Sequence, residues 1–323
     1  MDTSTNTERS VAGESSDWRC TGLLWGTGGP ALAWYGGPGR GERTGPLAGR
    51  RDLALVAVGE RGCVGVRRGG RRTPCPTGAV VPATTSGAQC PDCRALDRSM
   101  SVAADTRADD PQPYAVYLAW FGPGLCKVGI TAAARGDARL LEQGAVAFTM
   151  LGRGPLMAAR RAEELLGTVL GIRDRVPYAA KRAARTRLPS VADRFAELAV
   201  LHMRAGELDG WPGSLGRLPF APVDHSAPFG LDRLAAVAAD PDAPPVTEVT
   251  GLADGSVVAG ELLGAAGPDL HLRSERGLLI VDSRLMAGWV LRAAAPGLRT
   301  SAPVRNTGGA GTGTGRGVQD GLF

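Results

Sequence analysis

The sequence predicts an α+β chain: a cysteine-rich β region first, an α/β module in the middle, and a small β-barrel-like domain near the end. Three observations predict it. Four cysteines fall at Cys63-x11-Cys75-x14-Cys90-x2-Cys93, inside a Gly-rich stretch of short strand-like pieces. Two β-rich apolar runs, joined by a Gly-Pro-Gly turn at 122–124, precede apolar stripes of helical period. Short strands punctuated by glycine, such as SVVAGELLG, DLHLRS and GLLIVDS, fill residues 246–295.

A chain of 323 residues with 43% hydrophobic content has enough apolar material for two or three domains. The net charge is +5, and of 37 basic residues all but Lys127 and Lys181 are arginine. Heavy use of Ala, Gly, Arg and Pro points to a GC-rich coding bias, which makes abundant arginine weak evidence for nucleic acid. The two lysines say more. A compact ammonium with a tunable pKa does what a guanidinium cannot. Residues 1–17 are polar and contain acids, with no apolar core of a secretory signal, and no apolar run has the length of a membrane span. The expectation is a cytoplasmic protein with no membrane partner. In a reducing compartment its six cysteines favour metal or structural roles over disulfides.

Residues 1–17 are expected to be a disordered leader. Residues 18–98 form the cysteine-rich β region, with a strand at 53–58 (LALVAV). The CxxC pair, Cys90-Pro-Asp-Cys93, can hold one ion from a tight turn, and Cys63 and Cys75 sit in turn contexts that can present two more sulfurs. Four soft ligands complete a tetrahedral zinc site and make the region zinc-ribbon-like. The alternative is a small buried thiol cluster without metal. Cys20 and Cys126 read as packed single thiols, with Cys20 able to substitute as a ligand. Residues 99–113, small, acidic and Pro-bounded, are a linker.

Residues 114–205 are the α/β module. Strands are expected at 114–121 and 125–131, a helix at 132–143 ended by Gly144, and a third strand at 146–151. A helix spans 156–170, with apolar residues at 158, 159, 162, 165, 166 and 169 on one stripe. Ser190-Val-Ala-Asp193 is a cap for a last helix through about 204. Residues 206–245 are a Pro-rich connector, 246–299 the small β domain, and 300–323 a Gly/Thr-rich disordered tail.

The run Tyr114-Ala-Val-Tyr117 and, ten residues on, Lys127-Val-Gly129-Ile-Thr131, followed by Arg139 and then Glu163-Glu164, resembles the paired strands and helices of the GIY-YIG nuclease superfamily. The resemblance implies Tyr117 near an attacking water, Arg139 on a phosphate, and a glutamate on one Mg²⁺ or Mn²⁺ ion. Lys127 stands where the second tyrosine would. Helix geometry selects the glutamate: Glu163 lies about 100° from Ala162, at the margin of the apolar stripe, whereas Glu164 lies about 200° away, toward solvent. Each residue also has a bland reading: a packed aromatic for Tyr117, solvated charges for Arg139 and Glu163, a lysine reaching solvent from a strand edge for Lys127. Strand alternation puts Lys127 and Gly129 on one face, with Gly129 leaving room for a ligand beside the ammonium. Between 153 and 187 nine basic residues face three acids, and Arg160, Arg161, Lys181, Arg182 and Arg185 are the candidate nucleic-acid contacts.

The order of parts also resembles a bacterial family catalogued as domain of unknown function 2797, over nearly the whole ordered chain. Its carriers are the four cysteines with Pro76 and Gln89, residues 116–119 with 127–131, Arg139 with residues 142–145, and residues 260–267. Some members carry GIKGQYL where residues 264–270 read GAAGPDL here, so that lysine and tyrosine are missing. The functional expectation is a zinc-stabilised nucleic-acid-binding protein with a GIY-YIG-like core. The alternatives are a metal-dependent phosphodiesterase or nuclease, an enzyme on a small phosphorylated molecule held by Lys127, and a non-catalytic protein-interaction adaptor.

Overall fold

The computed structural model describes residues 18–68, 70–98, 110–172, 175–240, 242, 244–295 and 297–307. The expected leader, most of the linker and the tail beyond 307 lie outside the described residues. The chain opens with a meander of β1 (Arg19–Gly26), β2 (Gly29–Tyr35), β3 (Glu42–Pro46) and β4 (Asp52–Val58). A small hairpin, β5 (Val66–Arg68) and β6 (Arg71–Thr73), and helix α1 (Pro91–Arg98) follow. The middle contains β7 (Tyr114–Trp120), β8 (Cys126–Ala132), α2 (Ala138–Gln143), β9 (Ala147–Gly154), α3 (Leu156–Leu170), α4 (Tyr178–Arg185) and α5 (Val191–Gly206). Then come β10 (Gly216–Arg217), β11 (Val223–Asp224), α6 (Ser226–Phe229) and α7 (Leu231–Ala238). The last stretch is β12 (Thr247–Val249), β13 (Val257–Ala266), β14 (Asp269–Ser274), β15 (Gly277–Asp282), α8 (Ser283–Met286), β16 (Val290–Ala293) and β17 (Val304–Asn306).

The fold is mixed α+β, and two sheets organise it. A ten-stranded sheet runs β17-β12-β15-β14-β13-β4-β16-β1-β2-β3, antiparallel except for the β12–β15 pair. The expected C-terminal barrel is therefore corrected: no closed barrel occurs among the described residues, and the C-terminal strands are one part of an open sheet. Strand β4 is the reason. Its LALVAV run has neighbours on both sides, β13 and β16, both supplied by the C-terminal segment. Strand-period patterning reveals a buried face but not which distant edge will pair with it. The sheet extends past the expected end at 299, because β17 pairs with β12 and the Thr300 hydroxyl donates to the Ala259 carbonyl oxygen.

The second sheet is β10-β9-β7-β8, with β11 also on β9. Helices α3 and α5 cover one face, burying Leu156, Ala159, Ala162, Leu166 and Leu198 with Val116, Leu118 and Trp120. The other face carries Tyr117, Ala119 and Phe121, packed with Leu140 of α2 and Phe148. The expected helices at 156–170 and from Ser190 are present, and the Ser190 hydroxyl accepts from the Asp193 N–H as a cap should. The helix expected from 132 starts later. Strand β8 continues to Ala132, and Gly136 at φ +52° separates a single 3-10 turn from α2. The supposed connector at 206–245 supplies β10, β11, α6 and α7, its leucines 231 and 234 buried at helical spacing. No described helix is long and apolar enough to cross a membrane.

Two contacts lock the sheets together. Gly144, just past α2, and Gly267, in the β13–β14 turn, both take positive φ and approach so closely that a Cβ on Gly144 would sit 3.1 Å from the Gly267 nitrogen. Helix α4 then reaches across. Arg182 donates to Asp269 Oδ1 at 2.7 Å, Asp282 Oδ2 at 2.9 Å and Glu248 Oε2 at 2.7 Å, while Arg185 donates to Asp269 Oδ2 at 2.6 Å. Asp269 has no exposed surface. Burial alone would raise its carboxyl, but Arg185 and Arg182 outweigh that and hold it below the usual range. A carboxyl depressed by folding stabilises the native state above its unfolded pKa, and that stability is lost as the pH falls through the folded value. Asp269→Ala is expected to cost about 3–5 kcal/mol in urea denaturation by leaving two arginines uncompensated. The wild type should lose more stability than the variant as the pH drops below about 3.9. Equal acid sensitivity of the two would show that the network does not carry this linkage.

Candidate functional site

Two features stand out: a four-cysteine cluster and, beside it, a large basic cavity at the junction of both sheets. The geometry of the cysteines is local. Cys63 follows β4, Cys75 follows the β5–β6 hairpin, and Cys90 and Cys93 flank and open α1. Pro91 begins that helix, where its missing N–H costs nothing. All four sulfurs lie within 4.8 Å of one another. A tetrahedron with Zn–S bonds near 2.3 Å has edges of about 3.8 Å, and the 3.9 Å between the Cys75 and Cys90 sulfurs is close to it. The Gly65 and Cys90 N–H groups donate to the Cys63 sulfur at 3.4 and 3.2 Å, the pattern a thiolate ligand needs. The Thr77 hydroxyl draws the Cys75 thiol down to about 6, whereas burial raises Cys63 and Cys93. At Cys93 the neighbouring thiols add to the effect of burial. A metal bound here would displace those protons, so the four residues fit a divalent ion such as zinc. Cys20 lies apart in β1 without exposed surface, its thiol pushed up to about 12 by burial, and takes no part.

Arg61 fastens this cluster to the rest of the fold. Its buried guanidinium donates to the carbonyl oxygens of Pro82, Thr85, Ala287 and Arg284, at 2.5 to 2.8 Å.

The cavity has a volume of about 1290 Å³ and is walled by β1, the cysteine region, the second sheet with α2–α4, the β13–β14 turn, and α8. Nine basic side chains and three acidic ones line it. Tyr117, Lys127, Arg139 and Glu163 are all among the lining residues, so the four expected site residues share one space. Register explains the first two: Tyr117 stands opposite Gly129 and Ala119 opposite Lys127, which puts Tyr117 and Lys127 on the same face of the β7–β8 hairpin. Glu163 is on α3, beside the edge strand β8, and both it and Arg139 act electrostatically on the Tyr117 phenol.

One expectation is corrected. Gly129 does not leave space for a ligand. A Cβ there would lie 2.3 Å from the Tyr117 hydroxyl oxygen, so the missing side chain makes room for the phenol itself. That hydroxyl accepts from the Gln143 side-chain amide at 2.8 Å. Burial pushes the phenol above its usual range despite the pull of Arg139 and Gln143.

The candidate nucleic-acid residues divide. Arg160 and Lys181 line the cavity, and Arg161 is exposed on α3 outside the lining. Arg182 and Arg185 lie outside the lining, held in the ion network at Asp269. Charge counting along the chain cannot separate such internal partners from surface charge, because Asp269 is 87 residues beyond Arg182. Sequence reasoning also missed Tyr178 and Arg284 in the cavity wall. The Arg284 guanidinium lies 4.2 Å from the Tyr178 ring centre and pairs with Asp282 at 2.6 Å. Gln143 had a signal, in the family-like run at 142–145.

A family model described as "Protein of unknown function (DUF2797)" matches residues 50–291. The chain belongs to the DUF2797 family. The matched span takes in the four cysteines, the second sheet with its helices, and every cavity residue except those of β1. No curated protein and no solved structure matches.

The metal expectation is direct to check. Protein purified without added metal should carry one zinc per chain by elemental analysis. Cys90→Ser should lose it and unfold at lower temperature, whereas Cys20→Ser should keep its metal. Equal metal content in the two variants would remove the cysteine cluster as the site.

Proposed function

We propose that this protein, stabilised by zinc at Cys63, Cys75, Cys90 and Cys93, binds a phosphate-bearing ligand in the basic cavity. Nucleic acid, as a single strand or a strand end, is the ligand class. The observation that carries the reading is the lining itself, seven arginines and Lys127 against three acids in a space of about 1290 Å³. Concave walls of one charge sign concentrate an anionic ligand, and phosphate contacts by Lys and Arg supply most sequence-independent affinity. Lys127 and Arg139 are the phosphate contacts in this reading, and Arg160 extends the same surface. Arg182 and Arg185 are not part of it.

The GIY-YIG-like arrangement of Tyr117, Arg139 and Glu163 supports a phosphodiester as the ligand. Binding is favoured over cleavage by the state of Tyr117. A phenol held above its usual pKa, with its oxygen accepting from Gln143, is a poor base toward water. The second reading, a metal-dependent phosphodiesterase, draws on Glu163 in the same cavity, where a carboxylate would hold Mg²⁺ or Mn²⁺. A cleavage assay with each ion decides between the two.

Binding is measured by fluorescence anisotropy of a labelled single-stranded oligonucleotide across a salt series. Lys127→Ala and Arg139→Ala should each weaken affinity by about tenfold, roughly 1.4 kcal/mol. Arg161→Ala, exposed outside the cavity, should weaken it by less than about twofold and flatten the salt dependence least. Equal effects at all three positions would reduce the cavity to generic charge, and no binding by the wild type would end the reading.

A further inference from the structure

Both lysines of a chain that otherwise uses arginine line the same cavity. Lys181 is the unusual one. It sits on α4 with 4% of its surface exposed, yet among the described residues it makes no ion pair. Its Nζ donates one hydrogen bond, to the Gln143 carbonyl oxygen at 3.0 Å. The Phe121 ring centre lies 3.9 Å from it and the Tyr178 ring centre 4.6 Å away.

The charges facing it are mostly of its own sign. Arg185 comes from the same helix, Lys127 from β8 and Arg284 from α8, with Asp269 of β14 as the opposing carboxylate. Asp269 is already bound by Arg182 and Arg185. An ammonium has three hydrogens to satisfy and pays heavily for burial without a counter-ion. A neutral amine meets both conditions here: it donates to Gln143 and keeps a lone pair. Desolvation, then Arg185 and Lys127, bring the amine down to about 6, in line with that geometry. A desolvated lysine beside other cations is an amine activated as a nucleophile.

We propose that Lys181 is a nucleophile toward the carbonyl carbon of a phosphate-bearing aldehyde or ketone bound in the cavity. The inference rests on the anion-binding reading above, with Lys127 on the anionic group. The Nζ lone pair forms the C–N bond, and the carbonyl oxygen takes up a proton as the carbinolamine forms. That oxygen then leaves as water, carrying the two hydrogens the amine gives up overall, and an imine remains. No oxidant or reductant is consumed. Two sources supply this chemistry: a small phosphorylated carbonyl compound, or the ring-opened sugar aldehyde of a nucleic-acid strand that lacks a base.

The full chain is incubated separately with pyridoxal 5′-phosphate and with a single-stranded oligonucleotide containing one abasic site. Borohydride is then added, and the reduced adduct is mapped by mass spectrometry. With two lysines and one α-amino group to consider, the assignment is unambiguous. The expected adduct is on Lys181, formed at pH 7 at least about tenfold faster than on Lys127. An ordinary lysine amine, titrating at about 10.4, is protonated at that pH. The Lys181 rate should level off above about pH 6 to 7, whereas that of an ordinary lysine would keep rising. The arm that traps at lower concentration identifies the source. Lys181→Met, checked for folding by circular dichroism, should lose the adduct. No adduct, or one confined to Lys127 or the α-amino group, overturns the inference. Anisotropy with an intact oligonucleotide, run alongside, shows whether anion binding fails with it or survives alone.

Discussion

The buried carboxylate of Asp269 is the constraint around which the rest of the structure is arranged. It stands at the start of β14, without exposed surface, and two arginines from α4 converge on it. One of them, Arg182, also reaches Asp282 and Glu248, so a single helix is tied to β12, β14 and β15. Asp282 passes the connection to Arg284, and the Arg284 carbonyl oxygen accepts from Arg61 in the cysteine region. The second sheet, the large sheet and the cysteine cluster are thereby joined through one chain of charged and carbonyl groups. A buried network of this kind is demanding, since each partner removed leaves a charge without compensation. Its geometric effect is clear: it fixes α4 against the large sheet and so sets the far wall of the cavity.

The near wall is set by packing. Tyr117 lies across Gly129, and its hydroxyl meets the Gln143 side chain, while the Gln143 main-chain oxygen accepts from Lys181. Gln143 is thus a link between two candidate groups, a phenol whose pKa is raised by burial and an amine whose pKa is lowered by burial and by like charges. The cavity is basic in sum but not uniform. Arg139 is partly balanced by Glu142 at 3.6 Å, and the half-buried Lys127 opens onto the same space. Such a mixture of stiff, paired charges and desolvated polar groups is a setting in which ligand contacts gain strength from reduced screening.

Much of this was legible along the chain. The spacing of the cysteines selects four residues whose sulfurs do converge, because turns and a short helix start decide their placement locally. The boundaries of α3 and the cap of α5 follow from apolar period and from Ser190. Tyr117, Lys127, Arg139 and Glu163 share a cavity as hairpin alternation and helix geometry suggest. The role given to Gly129 was wrong because alternation assigns a face but not the occupant of the space above it. Helices α4 and α7 were not foreseen: α4 is short and carries Lys181, Arg182 and Arg185 where an amphipathic pattern would need apolar residues.

By itself, then, the sequence determined what depends on neighbours within a turn or two: the cysteine cluster, the hairpin faces, the principal helices and the scarcity of lysine. Tertiary structure alone decided which charges are spoken for. Arg182 and Arg185 read as a basic patch until Asp269, 87 and 84 residues away, takes them into the core. It also decided that β4 is an interior strand between two C-terminal partners, in an open sheet. The physical reason is the same in both cases. A charge or a strand edge is satisfied by whatever the fold brings against it, and that partner carries no mark of its distance along the chain.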